Sequence, residues 1–166
     1  KKKIILCAPT GRAAKRMSEA TLRPASTIHR LLEAVYSDEA DGLIFQKDED
    51  DPIAADVIIV DEVSMMDVML LDSLLLAVSE DTVVIFVGDK DQLPSVGAGR
   101  VLQDMLESNT IPSIELTEVF RQAKQSMIIV NAHKINKGEL PITDQKNTDF
   151  FFMAKKTPSQ IAELIV

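Results

Sequence analysis

Residues 82–100 read TVVIFVGDKDQLPSVGAGR. The first six are an unbroken run of β-branched and apolar residues, and Gly88-Asp89 then opens a loop holding carboxylates, Gln92, Pro94 and two glycines. A strand covered on both faces has no polar side, so it reads as a continuous apolar run rather than an alternation. VIIVDE (57–62) and IILCA (4–8) read in the same way. Three such runs specify a parallel sheet, since parallel strands need crossover connections that cover both faces.

Between these runs the period turns helical. Thr10 begins a helical stretch to about Ala20, and Thr27 to Val35 reads as a second short helix with Ser26 as its N-cap. Met66 to Val78 carries apolar residues on nearly every face and is expected to be a well-buried helix, with Met65, Met66 and Met69 as core filling. Further helices are expected from about Gly99 to Ser108 and from Ser126 to Lys137, the latter closed by Gly138. The acidic segment 38–51 contains GLIFQ, expected as a small hairpin, while SIELTEVF (113–120) and DFFFM (149–153) read as strands. TPSQ opens a last helix, with Thr157 as N-cap, Pro158 at the first helical position and Gln160 completing a capping box. The expected fold class is α/β, a mostly parallel sheet with helices on both faces.

The 166 residues suit one domain, and no apolar run approaches the ~18 residues a membrane-spanning helix needs. The single Cys7 excludes an internal disulfide framework and fits a reducing compartment, and no secretory pattern opens the chain, so a cytoplasmic location is expected. A chain that begins with Lys and enters a strand almost at once reads as a piece of something longer. The formal net charge of −8 is unevenly spread: residues 38–51 hold seven acids and one lysine, whereas residues 1–30 hold eight Lys or Arg against the lone acid Glu19. An acidic chain with one basic end is able to bind a polyanion there, through Arg12, Lys15, Arg16, Arg23 and Arg30.

In parallel α/β sheets ligands gather beyond the C-terminal ends of the strands. Four expected ends carry chemistry: Pro9-Thr10-Gly11-Arg12, Asp61-Glu62, Gly88-Asp89 with Gln92, and Arg121. Asp61 and Glu62 suit a Mg²⁺-nucleotide, one carboxylate holding the ion through part of its water shell and the other polarising an attacking water. Gln92 supplies an amide that senses a terminal phosphate, and Arg121 a cation against the charge developing on it. The phosphate cradle G-x-x-x-x-G-K-[ST] is missing, because none of the six glycines is followed by Lys.

APTGRAAKRM (8–17), ASTIHRLLEA (25–34), IIVDEVSMMD (58–67), VGDKDQLPSVGAGRVLQDML (87–106), ELTEVFRQ (115–122) and IIVNAHKINKGELP (128–141) resemble, in order and spacing, the successive motifs of superfamily 1 DNA helicases. The likeness is to the RecD-like branch, which includes the exodeoxyribonuclease V alpha subunit. It implies a RecA-like P-loop NTPase core without its first P-loop strand: a single truncated motor domain over 1–166, with its motif-bearing core at 4–141 and a C-terminal strand and helix at 149–166. It further implies ATP with Mg²⁺ as cofactors and 5′–3′ movement on single-stranded DNA. Asp61 and Glu62 become the Walker B pair and metal site, Gln92 the γ-phosphate sensor and Arg121 the arginine finger, with Asp89 also facing the nucleotide. Pro9, Thr10, Arg12, Thr27 and His29 fall along the DNA path, and Leu93, Pro94 and Ser95 reach toward DNA from the loop that couples the two ligands. A second motor domain of the same chain and nuclease-helicase subunits are the implied partners, with no membrane. The family's Walker A loop stands just upstream of Lys1, so the chain alone is expected to be inactive. In the family its strand lies beside TVVIFVGD, which is expected to lie at a sheet edge open to self-association or to pair with SIELTEVF or another chain.

Two other readings use the same residues. A metal-dependent nuclease would gather Asp56, Asp61, Glu62, Asp89 and Asp91 around two ions about 4 Å apart. A receiver-like signalling module would use Asp61 as phosphoacceptor with Lys90 as its partner, and it would need an acidic pair after the first strand that IILCAPTG does not offer.

Overall fold

The structure is a computed structural model that describes residues 2–38, 40–116, 126–145 and 148–165. The chain forms two compact units, Lys1–Ser113 and Ile114–Val166. The first holds β1 (Ile4–Ala8), α1 (Gly11–Thr21), β2 (Ala25–Thr27), α2 (Ile28–Leu31), β3 (Val35–Ser37), β4 (Gly42–Ile44), β5 (Val57–Val60), a 3₁₀ turn (Val63–Met65), α3 (Val68–Leu76), β6 (Val83–Phe86) and α4 (Val101–Ser108). The second holds α5 (Met127–Asn136) and α6 (Pro158–Ile165).

Four strands make one parallel sheet in the order β2-β1-β5-β6. The register places Cys7 between Ser26 and Val60, and Val60 opposite Phe86, so the three apolar runs lie side by side and end at one level. Alternation along each strand then sorts the side chains. Ile5, Cys7, Ile58, Val60, Val84 and Phe86 share one face and pack with Ile28, Leu32, Leu70, Leu74 and Val101 in the main core. On the other face Ala8 meets Ala13 and Ala14, three small residues that let α1 lie close over β1. Over β6 that face is open: Val83 is 53% and Ile85 44% exposed. Among the described residues β6 is an edge strand of this sheet.

A hairpin forms as the antiparallel pair β3–β4, with GLI of the acidic segment as its second strand and Val35–Ser37, ahead of that segment, as its first. The second helix is shorter than expected, and its cap is Thr27, whose Oγ1 accepts from Arg30 N at 3.1 Å, rather than Ser26. Ser26 instead belongs to β2, whose three residues pair with β1, a claim that outweighs local capping preference. The third helix starts later, at Val68, because Asp67 Oδ1 caps it by accepting from Leu70 N at 2.8 Å. It is also less buried than its all-round apolarity implied. Met66, Leu70 and Leu74 face the core, while Met65, Val68, Met69, Leu75 and Leu76 are exposed, so Met65 and Met69 are not core filling.

In the second unit Ser126 caps α5 and Gly138 follows it at φ +76°, as the sequence indicated. Asn131 is fully buried and clips the following segment, its Nδ2 donating to Ile142 O at 2.9 Å and its Oδ1 accepting from Ile142 N at 2.7 Å. DFFFM is not a strand. Asp149 instead accepts from Ser126 Oγ, from Met127 N at 2.7 Å and from Ile128 N at 3.4 Å, so it serves the N-terminus of α5. Phe151 and Phe152 have no ladder partner and are exposed. Residues 113–116 of SIELTEVF are likewise not strand, and 117–120 lie outside the described residues. Thr157 caps α6 through Gln160 N at 3.4 Å, and Gln160 Oε1 accepts from Lys156 N at 3.1 Å, one residue before the cap.

Candidate functional site

The common level of the strand ends creates the site. The ladder continues one step past β5 and β6: Asp61 N donates to Cys7 O at 2.9 Å, Val87 N to Val60 O at 2.8 Å and Val63 N to Val87 O at 3.0 Å. Asp61 and Glu62 are thus fixed by backbone bonds at the mouth of the sheet, both half-buried. Asp61 Oδ1 accepts from Glu62 N at 2.9 Å, which leaves Oδ2 for an outside ligand. Glu62 lies at φ +56°, in the left-handed region that a residue with a Cβ enters at a cost of about 1–2 kcal/mol.

The loop of residues 88–100 lies directly on this segment. A Cβ on Gly88 would stand 3.2 Å from Val63 N and 3.3 Å from Ser64 N, and one on Gly97 would stand 2.2 Å from Asp67 Oδ2. A Cβ at position 97 would overlap Asp67, whereas one at 88 would be tight and displace its neighbours by a few tenths of an ångström. Val68 N also donates to Ala98 O at 2.9 Å. The loop is therefore pinned at two points to the segment that carries the carboxylate pair. Between them Asp89 Oδ1 accepts from Asp91 N at 2.9 Å and Asp89 O from Gln92 N at 3.3 Å, a turn that presents the exposed Gln92 side chain. Ser95 Oγ donates toward Gly97 O at 3.0 Å, and Leu93, just before Pro94, is 86% exposed.

Pro9, Thr10 and Thr27 lie at the ends of the adjacent strands β1 and β2, where Ala8 pairs with Thr27. Thr10 Oγ1 accepts from Ala13 N at 3.2 Å and caps α1, which places Arg12, exposed, in the first turn of that helix. Both threonine hydroxyls use their oxygens as helix caps and keep their protons for donation. His29, exposed on α2, tilts against Phe45 with ring centroids 5.8 Å apart. The expected nucleotide residues thus collect on β5 and β6, and most of the expected DNA residues on β1 and β2. Arg121 lies outside the described residues.

The five carboxylates of the nuclease reading do not come together. Asp56 precedes β5 and accepts from Lys3 N, at the opposite end of the strand from Asp61. Among the described residues no group of three or more His, Cys, Asp or Glu side chains is placed to hold a metal ion. A carboxylate pair does suit Mg²⁺, which keeps several waters and takes one or two protein carboxylates together with phosphate oxygens. Sequence reasoning missed the pocket of about 200 Å³ between Ser64 and the 88–100 loop, whose polar lining is Ser64, Lys90, Gln92, Arg100 and Gln103. Residues scattered over forty positions leave no local signal.

A parallel sheet ending in an acidic pair, with a glycine-pinned loop beside it, defines a RecA-like α/β core. Residues 1–152 match the family described as AAA domain, and the chain belongs to that family. The resemblance to RecD-like superfamily 1 helicases holds across this match. The chain is 46% identical over 141 residues to the ATP-dependent RecD2 DNA helicase of Deinococcus radiodurans, covering 85% of this chain and 19% of that protein. It is 38% identical over 125 residues to the RecBCD enzyme subunit RecD of Mycobacterium tuberculosis, covering 66% and 21%. The chain therefore spans about a fifth of the length of these relatives. The Pif1 helicase from Bacteroides, solved in complex with ADP-AlF3 and ssDNA, shares the fold, with a TM-score of 0.54 at 19% identity over 99% of this chain and 46% of that one.

Proposed function

We propose that this chain is part of an ATP-dependent 5′–3′ DNA helicase that moves on single-stranded DNA during recombination or repair in the cytoplasm, and that residues 1–166 belong to its first motor domain. The observation that carries the reading is the close packing of the 88–100 loop, at Gly88 and Gly97, on Val63, Ser64 and Asp67, which directly follow the Asp61–Glu62 pair. A helicase must convert the state of a phosphate into movement on DNA, and a loop packed on the residues that follow the carboxylate pair, with Gln92 near one end and Leu93, Pro94 and Ser95 exposed or half-buried beyond it, has that layout.

In this reading Asp61 offers Oδ2 to the hydrated magnesium ion, which when bound neutralises the phosphate oxygens. Glu62 orients and deprotonates the attacking water, while the Gln92 amide contacts the γ-phosphate and Arg121 balances its developing charge. Asp89 holds the turn that aims Gln92. Pro9, Thr10, Arg12, Thr27 and His29 line the strand's path, with the Arg12 guanidinium on a backbone phosphate. The β and γ phosphates need a cradle of backbone amides and a Lys, so turnover belongs to the full-length protein with its second motor domain, and the 166-residue chain alone is inactive. Nuclease-helicase subunits are further partners, as for the RecD relatives whose name places them in RecBCD. Among the described residues no helix is long and apolar enough to cross a membrane.

The test is unwinding by the full-length protein of a duplex with a single-stranded tail at either end. ATP-dependent strand separation from the 5′ tail alone supports the reading. Separation from 3′ tails, or none with ATP, contradicts it.

A further inference from the structure

The pocket between Ser64 and the 88–100 loop has an unusual donor set. Its polar lining side chains are Ser64, Lys90, Gln92, Arg100 and Gln103. Each of them is able to donate a hydrogen bond, and among the described residues no carboxylate lines it, in a chain whose formal charge is −8. The neighbouring acids are each hydrogen-bonded: Asp104 Oδ2 accepts from the backbone N of Arg100 at 3.3 Å, Asp89 Oδ1 from Asp91 N at 2.9 Å, and Glu107 Oε1 from Gln103 Nε2 at 2.7 Å, which takes up part of the Gln103 amide. The Ser64 Oγ is buried without a hydrogen-bond partner among the described residues. An orphaned buried hydroxyl is destabilising unless a ligand group satisfies it. The Arg100 side chain, at the N-cap of α4, has no ion-pair partner among the described residues.

We infer that this pocket is an oxyanion site for a phosphoryl group, with Ser64 Oγ and the Arg100 guanidinium as its principal donors and the Gln92 amide at its rim. Arg100 supplies the charge and the planar fork that fits a tetrahedral oxyanion, and Ser64 supplies a directional donor from the floor. Because Ser64 follows Glu62 by two residues and Arg100 closes the pinned loop, a phosphate held between them ties the two segments together. The inference deepens the helicase reading and rests on it only for the source of the phosphate, either the terminal group of a nucleotide or the backbone of a DNA strand.

The experiment is an amide NMR titration of this chain with inorganic phosphate, repeated with the methylene-bridged ATP analogue plus Mg²⁺ and with a short oligo-dT. Phosphate is expected to shift the amides of Ser64, Gln92 and Val101 along one saturating curve. Arg100→Gln should weaken that binding by about tenfold and Ser64→Ala by about threefold, while Arg100→Lys retains part of it and reports that the fold is intact. Competition by the analogue assigns a nucleotide phosphate, and competition by oligo-dT a backbone phosphate. Shifts confined to Lys2, Lys3 and Arg12, no saturation, or saturation unchanged by Arg100→Gln overturn the site. DNA-stimulated ATP hydrolysis by the full-length protein is read separately: its absence with phosphate binding retained removes the helicase reading and leaves the pocket.

Discussion

Glu62 at φ +56° is one of the non-glycine residues held in the left-handed region, with Leu22, Glu33, Asp41 and Asn109. Glycine takes that conformation freely, so a carboxylate kept there is held by its neighbours: its own N–H bonds Asp61 Oδ1, and the next residue is tied to Val87. Strain of this kind, about 1–2 kcal/mol, is characteristic of functional positions. Cys7 behaves in the opposite way. It is fully buried in β1, and burial pushes its thiol up to about 12. Reactivity belongs to the thiolate, so native protein at pH 8 should resist a thiol-specific reagent for hours and react at once in denaturant. Fast labelling of the native chain would show that β1 opens readily.

At the scale of elements, the union of the 88–100 loop with the Asp61–Asp67 segment is testable through Gly97. A methyl there would overlap Asp67 Oδ2 and Cβ, at 2.2 and 2.7 Å, beside the cap of α3. Gly97→Ala should cost about 1–3 kcal/mol in denaturant unfolding, and an unchanged midpoint would show that the loop is not pinned. In the second unit, Asp149 has its carboxyl held below the usual range, first by the hydrogen bond from Ser126 and then by the N–H groups of Met127 and Ile128. Its folded value is lower than its unfolded one, so its stabilisation is full above the ordinary value of 3.8 and is lost as pH falls through the lowered one. Amides at the start of α5 should lose hydrogen-exchange protection in that acidic window, and Asp149→Asn should remove this dependence. The role of Asp149 also explains what the sequence hid. IILCA, VIIV and TVVIF were legible as strands because each apolar run has a paired neighbour. DFFFM looks the same in one dimension, but its first residue caps a helix and its phenylalanines find no ladder. β2 was hidden for the converse reason, since three residues just ahead of a helix become a strand only by pairing with β1.

For the whole molecule, the sheet among the described residues leaves β6 at an edge with Val83 and Ile85 exposed. An apolar edge strand invites pairing with another chain, so we propose that the isolated protein self-associates there. Light scattering should show a mass rising with concentration, and Ile85→Lys should return it to monomer; a monomer at every concentration would argue against an available edge. Of the site, Asp61, Glu62, Asp89 and Gln92 were readable because they follow apolar runs, whereas Ser64 and Arg100 acquire meaning only when the loop folds back onto the strand ends. The account depends most on the carboxylate pair. In the full-length protein, Glu62→Gln keeps the side-chain shape but removes the base. DNA-stimulated ATP hydrolysis measured beside nucleotide affinity should therefore show turnover abolished and binding retained, and a variant that still hydrolyses ATP at the parent rate would contradict the role given to this residue.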